Sequence, residues 1–394
     1  MSFVINSDLA DTQLPPVMEA RRWIADKDFG NMPLINVSQA APLDPPPEAL
    51  RRVMAEAVME NPEAHLYGPV RGMPALREKI AETWSGAYGA PVSADQVSIT
   101  SGCNQAFCAA VASVAQKGDA VILPTPWYFN HEMHLTMNGI EVIPLPCGDG
   151  MVPDVERAKA LISDRVKALV LVTPNNPTGA EYPAGVVSAF FDLAETHGLA
   201  LIVDETYRDF DSRTGAPHDL FTRPNWGDTL IQLYSFSKAY RLTGHRVGAL
   251  VTGASRQAEI EKYLDTQTIC PNQIGQIAAL WGMNNLGDWV AGERAEILAR
   301  RAAVEAGLNA LPDWTVKGVG AYFAYVAHSF EARSDVVAKA LVDNAAILML
   351  PGTMFAPLSG TPNGLAEGHL RIAFANIDAS GIDEMVGRLS GFSL

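Results

Sequence analysis

Four short segments of the chain carry residue types that could hold an anion, a ring nitrogen, a ring hydroxyl and an aldehyde. TSGCNQA (100–106) follows the strand-like VSIT and runs into the apolar helical pattern AFCAAVASVAQ (106–116). A turn of small residues opening a helix presents unpaired backbone N–H groups and the positive end of the helix dipole, which suits a phosphate. An ordinary Ser/Asn helix cap is the other reading. TPNNPTG (173–179) closes an apolar run, and its Asn-Pro and Thr-Gly also read simply as turn dipeptides. IVDETY (202–207) puts Asp204 at the carboxyl end of another such run, the edge where parallel sheets bind ligands. A carboxylate there needs a partner, either a pyridinium nitrogen or a core hydrogen-bond network. YSFSKAYRLTGHRVG (234–248) sets Ser235, Ser237, Lys238 and Arg246 between two apolar runs. Two hydroxyls and a forked guanidinium suit a phosphate, with a solvated loop as the alternative. Taken together, the set supplies what pyridoxal 5'-phosphate (PLP) requires: phosphate anchorage, an acid for the ring nitrogen, donors for the ring hydroxyl and an amine for the aldehyde.

These segments must be held by rigid elements. Apolar runs at 120–124, 141–145, 168–173, 200–204, 230–235 and 247–253 alternate with helical patterns such as 75–84 and 183–197. Strands apolar on both faces and separated by helices predict a mostly parallel sheet covered on both sides, a doubly wound α/β arrangement. The texture changes near residue 285, where a long helical stretch (292–311) precedes strands WTVKGV and AYFAYVA, a helix (335–344), AILML (346–350) and HLRIAFA (369–375). The expected organisation is an N-terminal arm (1–45) packing with a small C-terminal α+β domain (286–394), and a large domain (46–285) carrying the site.

Composition sets limits on partners. With a net charge of −15 the field around the chain repels phosphate backbones, so nucleic acid is not an expected partner and any anion site must be locally basic. The four cysteines, Cys103, Cys108, Cys147 and Cys270, have no metal-ligand spacing, so no metal site is expected and free thiols in a reducing cytosol are. MSFVINSDLADTQ lacks the features of a signal peptide, and no apolar run reaches about 18 residues, so no membrane span is expected. The expected location is the cytoplasm.

The chain resembles the class I/II aminotransferases, PLP enzymes of fold type I. The resemblance rests, in order, on INVSQAAP (35–42), YGPVRGMPALR (67–77), TSGCNQA, PTPWY (124–128), NNPTG (175–179), DETY (204–207), SFSKAYRLTGHRVG (235–248), PGTMF (351–355) and LRIAFA (370–375). It implies a large domain with a mostly parallel seven-stranded sheet between helices, plus a small α+β domain. It implies that Lys238 forms the Schiff base with PLP, that Asp204 pairs with the ring nitrogen, and that Asn176 and Tyr207 bond the ring hydroxyl. Gly102, Cys103 and Asn104 would offer backbone N–H groups to the phosphate, joined by Ser235 and Arg246. Tyr128 would stack on the ring, and Tyr67 would reach the phosphate of a neighbouring subunit, which implies a homodimer with shared sites. Arg371 would grip the substrate α-carboxylate, beside Asn176 and Ala40.

The activity so implied is transfer of the amino group of an α-amino acid to a 2-oxo acid by ping-pong kinetics, with a carbon–sulfur β-lyase as the alternative. Two departures bear on substrate. Ala40 stands where glycine is frequent in the family, and a methyl there would narrow the substrate pocket or shift the backbone near the carboxylate. TICPNQIGQ (268–276) has no arginine where aspartate-specific relatives carry one, so aspartate is not the favoured donor unless Arg21 or Arg22 substitutes.

Overall fold

The computed structural model describes residues 4–361 and 363–394. Its largest sheet has seven strands in the order Val97–Thr100, Gly248–Val251, Leu230–Ser235, Ala200–Asp204, Val166–Val172, Ala120–Thr125, Glu141–Pro146. Gly248–Val251 runs antiparallel to both neighbours and every other pairing is parallel. The central strands are buried on both faces, as their unbroken apolar runs require: Leu201, Ile202 and Val203 are each 0% exposed. Burying each such side chain stabilises by about 1.5–3 kcal/mol. Parallel neighbours need crossover helices, and Ala184–His197 is one, ended by Gly198 in the left-handed region at φ 64. The crossovers leave the turns after Thr100, Thr125, Val172, Asp204 and Ser235 at one edge of the sheet.

A second, antiparallel sheet joins Leu350–Pro351, His369–Ile372, Phe323–His328 and Trp314–Gly320. Helices Gly287–Asn309 and Ala379–Ser390 pack beside it, burying Val304, Leu308, Ile382 and Met385. The sequence pattern reads AILML as one strand, but the chain divides it. Ile347–Leu348 pairs in parallel with Ile35–Asn36 of the arm, while Leu350–Pro351 pairs with the strand bearing Arg371. Nearer the N-terminus the arm lies elsewhere: Gln13 donates to Glu132 at 3.0 Å, and Asp8 pairs with Lys117.

The helix expected at 106–116 spans Cys103–Ala112. It starts early because Gly102, at φ 83, turns the chain directly into it, and it ends early where Ser113 Oγ donates back to the Ala110 carbonyl at 2.7 Å. Among the described residues no helix is long and apolar enough to cross a membrane.

Candidate active site

A cavity of about 430 Å³ opens at the carboxyl edge of the large sheet. Four cations line it, Arg21, Lys238, Arg246 and Arg371, against one carboxylate, Asp204. In a chain of net charge −15, this is the locally basic site an anionic ligand needs.

Lys238 sits in the short helix Phe236–Ala239, whose cap is Ser235 Oγ accepting from Ser237 N at 3.2 Å. Its Nζ donates to the Ala40 carbonyl at 2.5 Å and lies 5.8 Å from the Tyr207 ring centroid. Burial, then the charges of Arg246 and Arg371, pull its pKa down to about 8. A useful fraction of neutral amine is therefore present near neutral pH, which is what a nucleophilic lysine needs.

Asp204 is 3% exposed. Burial alone would raise its pKa, but His131 and the bonds from Thr206 outweigh this and hold the carboxyl below its ordinary value. Oδ1 accepts from Thr206 N at 2.9 Å with Cys103 Sγ at 3.6 Å, and Oδ2 faces His131 Nε2 at 3.4 Å. His131 is itself stacked on Phe107, centroids 3.8 Å apart. The sequence reading missed His131, although it lies three residues after Tyr128 and so one helical turn along the same face.

Arg371 is buried, opposite Tyr325 and Leu350 in its sheet. Nη1 donates to Asn176 Oδ1 at 2.9 Å, Nη2 donates to the Ser38 carbonyl, and the guanidinium lies 4.9 and 5.1 Å from the Phe355 and Phe323 ring centroids. Nε has no partner, and burial lowers the pKa to about 10. Among the described residues no carboxylate pairs with it. An uncompensated buried cation is costly, and an incoming carboxylate would offset that cost.

Arg246 adopts the left-handed region at φ 51, and its Nη1 reaches the Thr243 carbonyl at 3.1 Å and Ser237 Oγ at 3.5 Å. Its guanidinium lies over Gly102, where a Cβ would be 2.1 Å from Nη2. Gly248 is equally constrained, since a Cβ there would stand 2.6 Å from the Gly102 carbonyl carbon. Both glycines thus let a guanidinium lie at the start of helix Cys103–Ala112, whose first N–H groups have no intrahelical acceptor. That combination fits a phosphate. Tyr128 donates to Asn104 Oδ1 at 3.3 Å, accepts from Asn130 at 2.9 Å and packs edge-on to His131 at 5.0 Å. Burial lifts its phenol to about 12, and that of Tyr207 well up.

Of the residues singled out from sequence, the cavity is lined by Arg21, Ala40, Cys103, Asn104, Tyr128, Asn176 and Asp204, and also by Tyr207, Ser235, Ser237, Lys238, Arg246 and Arg371. Gly102 borders it beneath Arg246. Tyr67 lies outside and is 80% exposed. The sequence reading passed over Thr243 and Gln39, which line the cavity too.

Comparison with known proteins defines the class. Residues 32–389 match the aminotransferase class I and II family. The chain is 30% identical over 341 residues to an aspartate/prephenate aminotransferase of Thermus thermophilus, covering 83% of this chain and 82% of that one. It is 27% identical to an aromatic aminotransferase of Arabidopsis thaliana over 95% of each chain. In fold it is similar to an aspartate aminotransferase from Thermus thermophilus solved with maleate, at TM-score 0.89, 24% identity and 99% coverage of each chain. The chain belongs to the class I and II aminotransferases. It is a PLP-dependent aminotransferase of fold type I.

Proposed function

We propose that this enzyme moves the amino group of an α-amino acid to a 2-oxo acid in two half-reactions through one site, with ping-pong kinetics. The observation that carries this reading is Arg371: a buried guanidinium with no carboxylate partner among the described residues, in one cavity with a lysine of depressed pKa and a buried aspartate.

The roles follow from the chemistry of each group. PLP, when bound, supplies an electron-withdrawing ring that accepts the electron pair left at the substrate Cα. Asp204, kept anionic by His131 and Thr206, holds a proton on the ring nitrogen. Asn176 and Tyr207 serve the ring hydroxyl. Cys103 and Asn104 N–H groups, Ser235 and Arg246 hold the phosphate; Gly102, expected from sequence as a third donor, gives its N–H to the Thr100 carbonyl at 2.8 Å and provides the turn instead. Tyr128 packs on the ring. Arg371 clamps the α-carboxylate with Asn176 beside it, and Ala40 shapes the wall, its carbonyl accepting from Lys238 Nζ. Lys238 would carry the covalent link to the cofactor aldehyde and, once displaced by substrate, its free amine would serve as the base that takes the Cα proton and returns it two bonds away, to the former aldehyde carbon.

Tyr67 reaches the phosphate of a second subunit in a homodimer; its own exposure of 80%, with 64% for Leu66 and 80% for Met59, leaves an apolar surface to cover. Residues 46–285 form the cofactor-binding domain, 286–394 a small domain and 1–45 an arm, in a cytoplasmic enzyme whose four cysteines are free. A panel of amino acids added singly to holoenzyme tests the reaction. Conversion of the yellow chromophore to the amine form of the cofactor, with an equivalent of 2-oxo acid and no ammonia, is the expected result. Release of ammonia with the chromophore retained would mean β-lyase chemistry and overturn it.

A further inference from the structure

Three successive residues of the arm each hold one cation of the cavity. The Ser38 carbonyl accepts from Arg371, Gln39 Oε1 accepts from Arg21 Nη2 at 2.7 Å, and the Ala40 carbonyl accepts from Lys238. Arg371, Lys238 and Arg246 each have a duty in the reading above, on which this inference rests. Arg21 has none. It sits in the last turn of the helix Pro16–Arg22, which lines the cavity with Pro16, Val17 and Met18. Its neighbour Arg22 is paired with Glu19 at 2.7 Å and is not in the cavity wall. Among the described residues Arg21 pairs with no carboxylate; Gln39 is its partner.

We infer that Arg21 is a specificity-determining residue that receives the side-chain carboxylate of dicarboxylic amino-acid and 2-oxo-acid substrates. Arg371, fastened to the Ser38 carbonyl, and Arg21, fastened to the end of the Gln39 side chain, both line the one cavity, so two guanidinium groups serve one ligand-sized space. Arg371 faces the α-carboxylate and Arg21 the far end. The Gln39 carboxamide orients the guanidinium without neutralising it, which leaves its charge for the substrate. In a chain of net charge −15, a second acidic group entering the cavity needs such a local cation. Val17 and Met18 beside Arg21 keep neutral side chains admissible, so the residue sets a preference. The aspartate-type arginine missing from 268–276 is thus replaced from the opposite end of the chain.

The test is a titration of holoenzyme with two unreactive five-carbon acids, glutarate and valerate, followed by the cofactor's absorbance, for the wild type and for Arg21→Gln, Arg21→Lys and Arg22→Gln. Wild type should bind glutarate tighter than valerate by about tenfold, the worth of one charge-assisted contact at a partly hydrated site. Arg21→Gln should abolish that margin with valerate unchanged, Arg21→Lys should keep part of it, and Arg22→Gln should keep all of it. Equal weakening of both acids by Arg21→Gln, or no margin in wild type, overturns the inference. If neither acid perturbs the absorbance, the role given to Arg371 fails first and this inference with it. That outcome is distinct from a loss confined to glutarate.

Discussion

Gly102→Ala is the most informative single-atom probe of the anion cradle. Gly102 adopts φ 83, ψ 167, a conformation essentially reserved for glycine, so alanine costs about 1–3 kcal/mol in backbone strain. The added methyl would stand 2.1 Å from Arg246 Nη2, and the turn cannot retreat towards Gly248, whose own missing Cβ would be 2.6 Å from the Gly102 carbonyl carbon. The flexible guanidinium is therefore the part that gives way. The two penalties separate experimentally. Strain acts with or without cofactor and lowers the Tm of the apoenzyme by a few degrees. Displacing Arg246 removes a charge-assisted hydrogen bond to phosphate worth about 1.5–3 kcal/mol, so PLP affinity falls roughly ten- to a hundredfold. The assay is a fluorescence titration of apoenzyme with PLP, repeated with pyridoxal, which has no phosphate. Weakened PLP binding with unchanged pyridoxal binding is expected. A lowered Tm with PLP affinity intact would refute the assignment of Arg246 to the phosphate.

Two further outcomes follow from the site's electrostatics. Asp204→Asn preserves shape but removes the charge facing the ring nitrogen, and kcat should fall by about 10²–10³-fold with a shifted cofactor absorbance; His131→Gln should produce the same shift in smaller measure, whereas an Asp204→Asn enzyme with normal kcat would exclude the role. Because the Lys238 pKa is lowered from 10.5 to about 8 in the fold, the unfolded apoenzyme binds more protons between those values. Its stability should therefore rise with pH across that window, by about 3 kcal/mol in all. Urea melts from pH 7 to 11 should show this rise in wild type and its absence in Lys238→Met; equal slopes in both would contradict the burial of this amine.

The parts of the site legible in the sequence were those with local physical causes. Asp204 terminates an unbroken apolar run and Ser235 one interrupted only by Gln232, so their position at the sheet edge followed from pattern and burial. The helix after Gly102 was legible for the same reason, although its ends shifted because a positive-φ glycine and a back-bonding serine outrank apolar periodicity. Other features depended on long-range placement. His131 meets Asp204 from 73 positions earlier in the chain, and Arg371 meets Asn176 and Ser38 from another sheet. The resemblance carried Arg371; nothing carried His131. AILML reads as one strand because its residues are uniformly apolar, and only the competition of two partner strands for its halves divides it.

A covalent bond between Lys238 Nζ and the aldehyde of PLP underlies every role assigned to the site. Borohydride reduction of holoenzyme, proteolysis and mass spectrometry of the peptide containing Lys238 examine that bond directly. A stable pyridoxyl-phosphate addition on Lys238, with the yellow colour lost in Lys238→Ala, is the predicted result. An addition mapped to another lysine, or a Lys238→Ala protein with its chromophore unaltered, would contradict it.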